Sequence, residues 1–154
     1  MTQPLEIAAN YFPPAGLEQI LNPVSSGVEN LESRIISDIK TDIPLLNNVI
    51  EHIIGSGGKR LRPTLVLLGA EMFSGVNEQV IQAAKVIEYL HTATLLHDDV
   101  VDRAETRRAR QTVCRIWGNK VSVLSGDYLF AMAFYELTKM RNAEVLKLMS
   151  DTTT

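Results

Sequence analysis

The sequence predicts an all-α protein on three observations. Apolar residues recur at three- and four-residue spacing along most of the chain. No stretch sustains the period-two alternation of a half-buried strand. The prolines, and the glycine run at 55–58, fall at or between the ends of the periodic segments rather than inside them. With 154 residues, 45% hydrophobic and 21% charged, the chain has the size and composition of one ordinary globular domain spanning 1–154.

Taken in order, residues 1–25 are expected to be irregular, because Pro4, Pro13, Pro14 and Pro23 block any long helix. From Val28 the positions Val28, Leu31, Ile35, Ile36 and Ile39 predict a helix. A second runs from Pro44 to Ile54, with proline in its first turn and Asp42 as a candidate cap. It stops at Gly55-Ser56-Gly57-Gly58, a run that holds helix only at a cost. Pro63 fits the first turn of a third helix, which passes Leu65, Leu68 and Met72 to end near Ser74-Gly75. The fourth and longest runs from about Glu78 to Arg103, with an apolar stripe through Val80, Ile81, Ala84, Ile87, Leu90, Thr94 and Leu95. A polar loop, Glu105 to Gln111, follows. Helix resumes near Asn119 with Val121, Leu124, Tyr128, Ala131 and Leu137, and a short helix covers Val145 to Met149.

Several classes of function are disfavoured at once. A net charge of −3 supplies no overall basic field, so nucleic acid is not the expected partner. The single cysteine, Cys114, excludes an internal disulfide and reads as a structural thiol. The opening MTQPLEIAANYF lacks the basic-then-apolar pattern of a signal peptide. No apolar run approaches the ~20 residues needed to span a bilayer, so a soluble cytoplasmic protein is expected.

Chemistry concentrates in three places. In His97-Asp98-Asp99-Val100-Val101-Asp102, a helix sets Asp98 and Asp102 one turn apart on one side and Asp99 about 100° away. Such like-charge packing costs a few tenths of a kcal/mol per pair, and a divalent cation would relieve it. Oxygen-only donors suit Mg2+, which takes one or two carboxylates together with substrate phosphates. An ordinary polar helix end carrying three solvated aspartates would look the same. In Gly57-Gly58-Lys59-Arg60-Leu61-Arg62-Pro63, loose backbone and three cations precede a helix start, a good anion site or else a basic surface turn. It is not a Walker A loop, since the glycine spacing is wrong and no Ser/Thr follows the lysine. Finally, Arg103, Arg107, Arg108 and Arg110 follow the aspartates; they fit a fork-like grip on phosphate or salt bridges to Asp102 and Glu105. His91 lies about two turns before Asp98 on roughly the same face. Together these describe metal-bridged carboxylates for one diphosphate and a separate cationic pocket for another.

The ordered text Gly57-Gly58-Lys59-Arg60-Leu61-Arg62-Pro63, Glu88-Tyr89-Leu90-His91-Thr92-Ala93, Leu95-Leu96-His97-Asp98-Asp99-Val100-Val101-Asp102, Arg107-Arg108, Trp117-Gly118-Asn119 and Ser125-Gly126-Asp127-Tyr128-Leu129 resembles the trans-type isoprenyl (polyprenyl) diphosphate synthases. Order and spacing agree from about residue 45 to the end. The resemblance implies antiparallel helices around a deep central cavity, usually in a homodimer. It implies a head-to-tail condensation in which an allylic diphosphate ionises and alkylates isopentenyl diphosphate. By the same resemblance Asp98 and Asp102 are the main Mg2+ ligands with Asp99 in support, and Arg107 meets the allylic diphosphate. Lys59, Arg62, His91 and Arg108 form the isopentenyl diphosphate pocket, with Arg60 counted among the substrate-binding residues. Ala93 and Thr94 stand where bulky side chains stop chain growth in the family; both are small, which implies a long-chain product of the kind that makes quinone side chains. Two departures are Ala109, where the family has glycine, and Cys114, where it often has asparagine.

Full members are about twice as long and carry a second aspartate-rich motif, which does not occur after residue 127 here. The chain stops at Asp151-Thr152-Thr153-Thr154 directly after a helical run, so it is expected to be the N-terminal part of an incomplete fold, inactive alone. Apolar faces on Val121 to Leu137 would then be exposed, favouring oligomerisation. The competing expectations are a non-catalytic helical subunit that pairs with a complete synthase and, last, a terpene cyclase.

Overall fold

A computed structural model of the chain describes residues 17–55 and 60–153. The elements are α1 (Leu17–Leu21), a 3-10 turn (Asn22–Val24), α2 (Ser25–Asp38), α3 (Pro44–Gly55), α4 (Leu61–Glu71) and α5 (Glu78–Val101). A two-residue antiparallel hairpin, β1 (Thr106–Arg107) and β2 (Arg110–Gln111), leads into α6 (Val113–Trp117), α7 (Asn119–Met140) and α8 (Ala143–Thr153). The protein is all-α apart from that hairpin.

α3, α4 and α5 fall where the periodicity places them. Three stretches differ. Residues 17–24 are helical although an irregular segment was expected; Pro23 sits at the start of the 3-10 turn, where its missing N–H removes no hydrogen bond. α2 consequently begins at Ser25 rather than Val28. α6 and the hairpin occupy what reads as loop, both too short to show a period. The remainder of the irregular segment, residues 1–16, and the glycine-rich run 56–59 lie outside the described residues.

α5 is the axis of the fold. Asn77 caps it by accepting from the Val80 N–H at 3.1 Å. It packs along α7 and also touches α2, α4 and α6. The α5–α7 contact is made by small residues: Ser122, Ser125, Gly126 and Ala133 of α7 are buried, and the Ser122 hydroxyl donates to the Leu96 carbonyl at 2.9 Å. A Cβ on Gly126 would stand 2.3 Å from His97 Nε2, so the missing side chain leaves the room that the His97 ring fills. The apolar residues that mark α7 by their spacing lie mostly away from this contact, as the expected exposure of Val121 to Leu137 implies. Of Val121, Leu124, Tyr128, Ala131 and Leu137, only Leu137 is buried, and Leu124 is 57% exposed. The buried face of α7 combines the small residues with Leu129, Leu137 and Met140.

The opposite side of α7 presents Val123, Leu124, Phe134 and Tyr135 to solvent. At the N-terminal half of α5, Lys85 is buried between Asp38 of α2 and Glu136 of α7, the latter at 2.8 Å. Burial works against ionisation of Glu136, but hydrogen bonds from Lys139 and Lys85 outweigh it and hold the carboxyl below its usual range. The neighbouring Tyr89 hydroxyl is buried without a hydrogen-bond partner among the described residues, and burial pushes its pKa far up.

Candidate functional site

The C-terminal half of α5 carries the chemistry. Asp98 is exposed, and Asp102 caps the helix, its N–H donating to the Asp98 carbonyl at 2.8 Å. Asp99 points the other way: it is 4% exposed and receives Arg107 Nη2 at 2.8 Å and Nε at 2.9 Å. The three aspartates therefore divide into an outward pair and an inward one. Among the described residues no three of His, Cys, Asp or Glu converge into a ready-made metal cage. Two outward carboxylates on one turn do fit Mg2+, which prefers few protein oxygens and completes its shell from phosphate and water.

Arg107 opens the hairpin in which Thr106 faces Gln111 and Arg107 faces Arg110. Its two turn residues, Arg108 (φ 52°) and Ala109 (φ 61°), are both left-handed, the pattern of a type I′ turn. Ala109 thus carries a Cβ in a conformation that glycine adopts freely. The turn is held from below. The Thr112 hydroxyl donates to the Ala104 carbonyl at 2.6 Å, and His52 Nε2 lies 2.8 Å from the Gln111 carbonyl with its ring edge-on to Trp117. Cys114 Sγ lies 3.5 Å from the Asp99 and Ala104 carbonyls, a structural contact. Behind the Asp99–Arg107 pair a cavity of about 60 Å3 is lined by Ile53, Thr92, Leu95, Leu96 and Val113.

Two turns before the aspartates, Arg62 Nη1 lies 3.0 Å from His91 Nε2. Burial and the Arg62 charge lower the His91 pKa, so the imidazole is neutral near pH 7 and accepts the hydrogen bond. Arg108 and Arg107 act on His91 in the same direction, which puts three guanidinium groups within electrostatic reach of one ring. The Asp98 and Asp102 charges in turn raise the pKa of Arg107, after the larger effect of its hydrogen bond to Asp99.

Arg60 behaves differently from its neighbours. It was expected beside substrate, but its guanidinium lies 2.7 Å from Glu88 and 3.0 Å from Glu32, with the side chain 10% exposed. Lys59 lies outside the described residues. Of the two chain-length positions, Thr94 is exposed, its hydroxyl donating to the His91 carbonyl at 2.8 Å, whereas Ala93 is wholly buried in helix packing. Sequence reasoning missed Glu32, Glu88 and His52. Glu88 had a readable signal: an acid inside an otherwise apolar helix stripe needs a buried partner.

Residues 43–154 match the family model described as polyprenyl synthetase. The chain is 37% identical over 143 residues to solanesyl diphosphate synthase 2, chloroplastic, of Arabidopsis thaliana, covering 89% of this chain and 34% of that protein. It is 36% identical over 135 residues to octaprenyl diphosphate synthase of Escherichia coli (strain K12), covering 88% of this chain and 42% of that one. A polyprenyl synthase from Caulobacter crescentus CB15, solved with calcium and isoprenyl diphosphate, superposes with a TM-score of 0.85 at 31% identity, over 92% of this chain and 43% of its own. The chain thus spans well under half the length of these relatives. The matched segment, the helical architecture and the ordered acidic and basic motifs agree: the chain belongs to the polyprenyl synthetase family.

Proposed function

We propose that this chain is the N-terminal part of a trans-polyprenyl diphosphate synthase that condenses an allylic diphosphate with isopentenyl diphosphate to give a long-chain product. The observation that carries the reading is the pairing of two anion-handling groups along α5: Asp98 and Asp102 at its end, and His91, met by Arg62 of α4, two turns earlier. The named products of the relatives, octaprenyl and solanesyl diphosphates, support a long chain. Thr94, small and exposed on α5, leaves room for one.

Asp98 and Asp102 would hold Mg2+, and the calcium in the Caulobacter structure supports a divalent ion. When bound, the metal supplies Lewis-acid stabilisation of a departing diphosphate. Asp99 fixes Arg107 so that its remaining donors face the allylic diphosphate from the aspartate side. Arg62, His91 and Arg108 bind and orient the isopentenyl diphosphate; a neutral His91 offers a hydrogen bond without adding a fourth positive charge. Asp99 itself is a positioning residue in this reading rather than a metal ligand. The exposed apolar residues of α7 support a homo-oligomer. No helix among the described residues is long and apolar enough to cross a membrane, and a cytoplasmic location belongs to the same proposal.

The test is incorporation of radiolabelled isopentenyl diphosphate with an allylic primer and Mg2+, products resolved by length. This chain is run beside a longer version carrying the coding sequence downstream of Thr154. Activity of the longer version, with products beyond those of short-chain synthases, is expected. Inactivity of both moves the reading to a non-catalytic subunit that pairs with a complete synthase.

A further inference from the structure

Arg60 is the one cation of the basic segment among the described residues that faces inward, and its surroundings are built for it. Its backbone is left-handed at φ 44°, an uncommon conformation for a side chain of this size. Its carbonyl accepts from the Thr64 N–H at 2.9 Å and from the Thr64 hydroxyl at 2.7 Å, tying it to the first turn of α4. Its guanidinium bridges Glu88 of α5 and Glu32 of α2. Glu88 is 7% exposed, and the pair borders an apolar cavity with Ile35, Ile50 and Ile53, so little water competes for it. Two residues on, Arg62 meets His91, which is three residues beyond Glu88 on the same helix. The start of α4 is therefore docked on α5 by two rungs, Arg60–Glu88 and Arg62–His91. The first is enclosed and compensated; the second is open to solvent.

We infer that Arg60, Glu88 and Glu32 form a positioning lock that sets Arg62 against His91, and that Arg60 is not itself a diphosphate contact. The inference rests on the diphosphate reading of the Arg62–His91 site. A buried guanidinium already forked onto two carboxylates would have to surrender both to reach a phosphate. With the lock in place, the backbone between the two arginines is short enough that fixing Arg60 fixes where Arg62 emerges. Glu88 never touches the ligand, yet the lock makes the cationic pocket depend on it.

The sign of the Glu88→Gln effect separates positioning from simple charge. Removing a negative charge near a cationic pocket should tighten anion binding if electrostatics alone mattered. The lock predicts the reverse: inorganic pyrophosphate, titrated calorimetrically into the intact chain, should bind about tenfold more weakly, the scale on which outer-shell partners act. Arg60→Gln added to Glu88→Gln should cost nothing further, whereas a direct Arg60 contact would cost a second large factor. Unchanged or tighter binding in Glu88→Gln, or a further loss in the double variant, overturns the lock.

A ligand-free readout covers the case in which the anion reading fails. In the parent protein Arg62 donates to His91 Nε2, so His91 should carry its proton on Nδ1, visible in imidazole 15N shifts. Glu88→Gln should release that tautomer; an unchanged His91 spectrum overturns the lock even if pyrophosphate never binds. If the spectrum responds while the parent ignores pyrophosphate, the lock stands and the diphosphate reading falls. Should Glu88→Gln not fold, Glu32→Gln removes the half-exposed partner instead, with the same direction and about a threefold loss.

Discussion

The two halves of α5 carry ionic clusters that dispose of their charge in opposite ways. In the N-terminal half, Lys85 is 5% exposed, and Asp38, Glu136, Gln82 and Lys139 close a network in which each buried charge meets an opposite one. In the C-terminal half, Asp98 and Asp102 point outward together, and Arg62 meets a neutral imidazole rather than a carboxylate among the described residues. The first cluster is complete without help and holds α2, α5 and α7 in register. The second keeps like charges close and leaves strong donors and acceptors facing open space, which is how a site looks when its counter-charges arrive with a ligand. Between them sits Arg60–Glu88, compensated like the first cluster and serving the second.

Four substitutions break or sharpen that contrast, and stability against heat or denaturant separates them. Lys85→Met should be the most damaging: it leaves the Glu136 carboxylate short of one partner in the core, and breaking a buried pair costs about 3–5 kcal/mol. Lys139 still reaches Glu136 at 2.7 Å, so the low end is expected, and Lys85→Met with Glu136→Met should recover most of the loss. Gly126→Ala drives a methyl against the His97 ring and should cost about 1–3 kcal/mol, with His97 forced from its place between Val123 and Phe130. Ala109→Gly runs the other way, relieving a left-handed alanine for a gain of about 1 kcal/mol, measured as a higher melting temperature. Asp98→Asn should move stability least, by a few tenths of a kcal/mol and upward, because it removes like-charge repulsion along one helix turn. A large loss of stability in Asp98→Asn would make the C-terminal cluster structural and erase the contrast.

The parts legible in the sequence are those where local chemistry and global packing agree. Pro44 and Gly55 bracket α3 as the sequence reads them. Asp98 and Asp102 share a side of α5 because a four-residue spacing permits little else. Where tertiary packing overrules local pattern, the reading failed. The helical spacing of α7 is read from Val121, Leu124, Tyr128, Ala131 and Leu137, yet Ser122, Ser125 and Gly126, which carry no hydrophobic signal, are among the buried residues there. Asp99 resembled its neighbours until Arg107, brought back by a hairpin too short to carry a period, claimed it. Arg60 could not be told from Arg62 in the text, since Glu32 and Glu88 come from two other helices.

Calorimetric titration of inorganic pyrophosphate, with and without Mg2+, into the parent chain and the Asp98→Asn/Asp102→Asn double variant tests the central claim most directly. The account predicts Mg2+-dependent binding to the parent, lost in the double variant at undiminished thermal stability. Binding that ignores Mg2+, or that survives loss of both carboxylates, would contradict it.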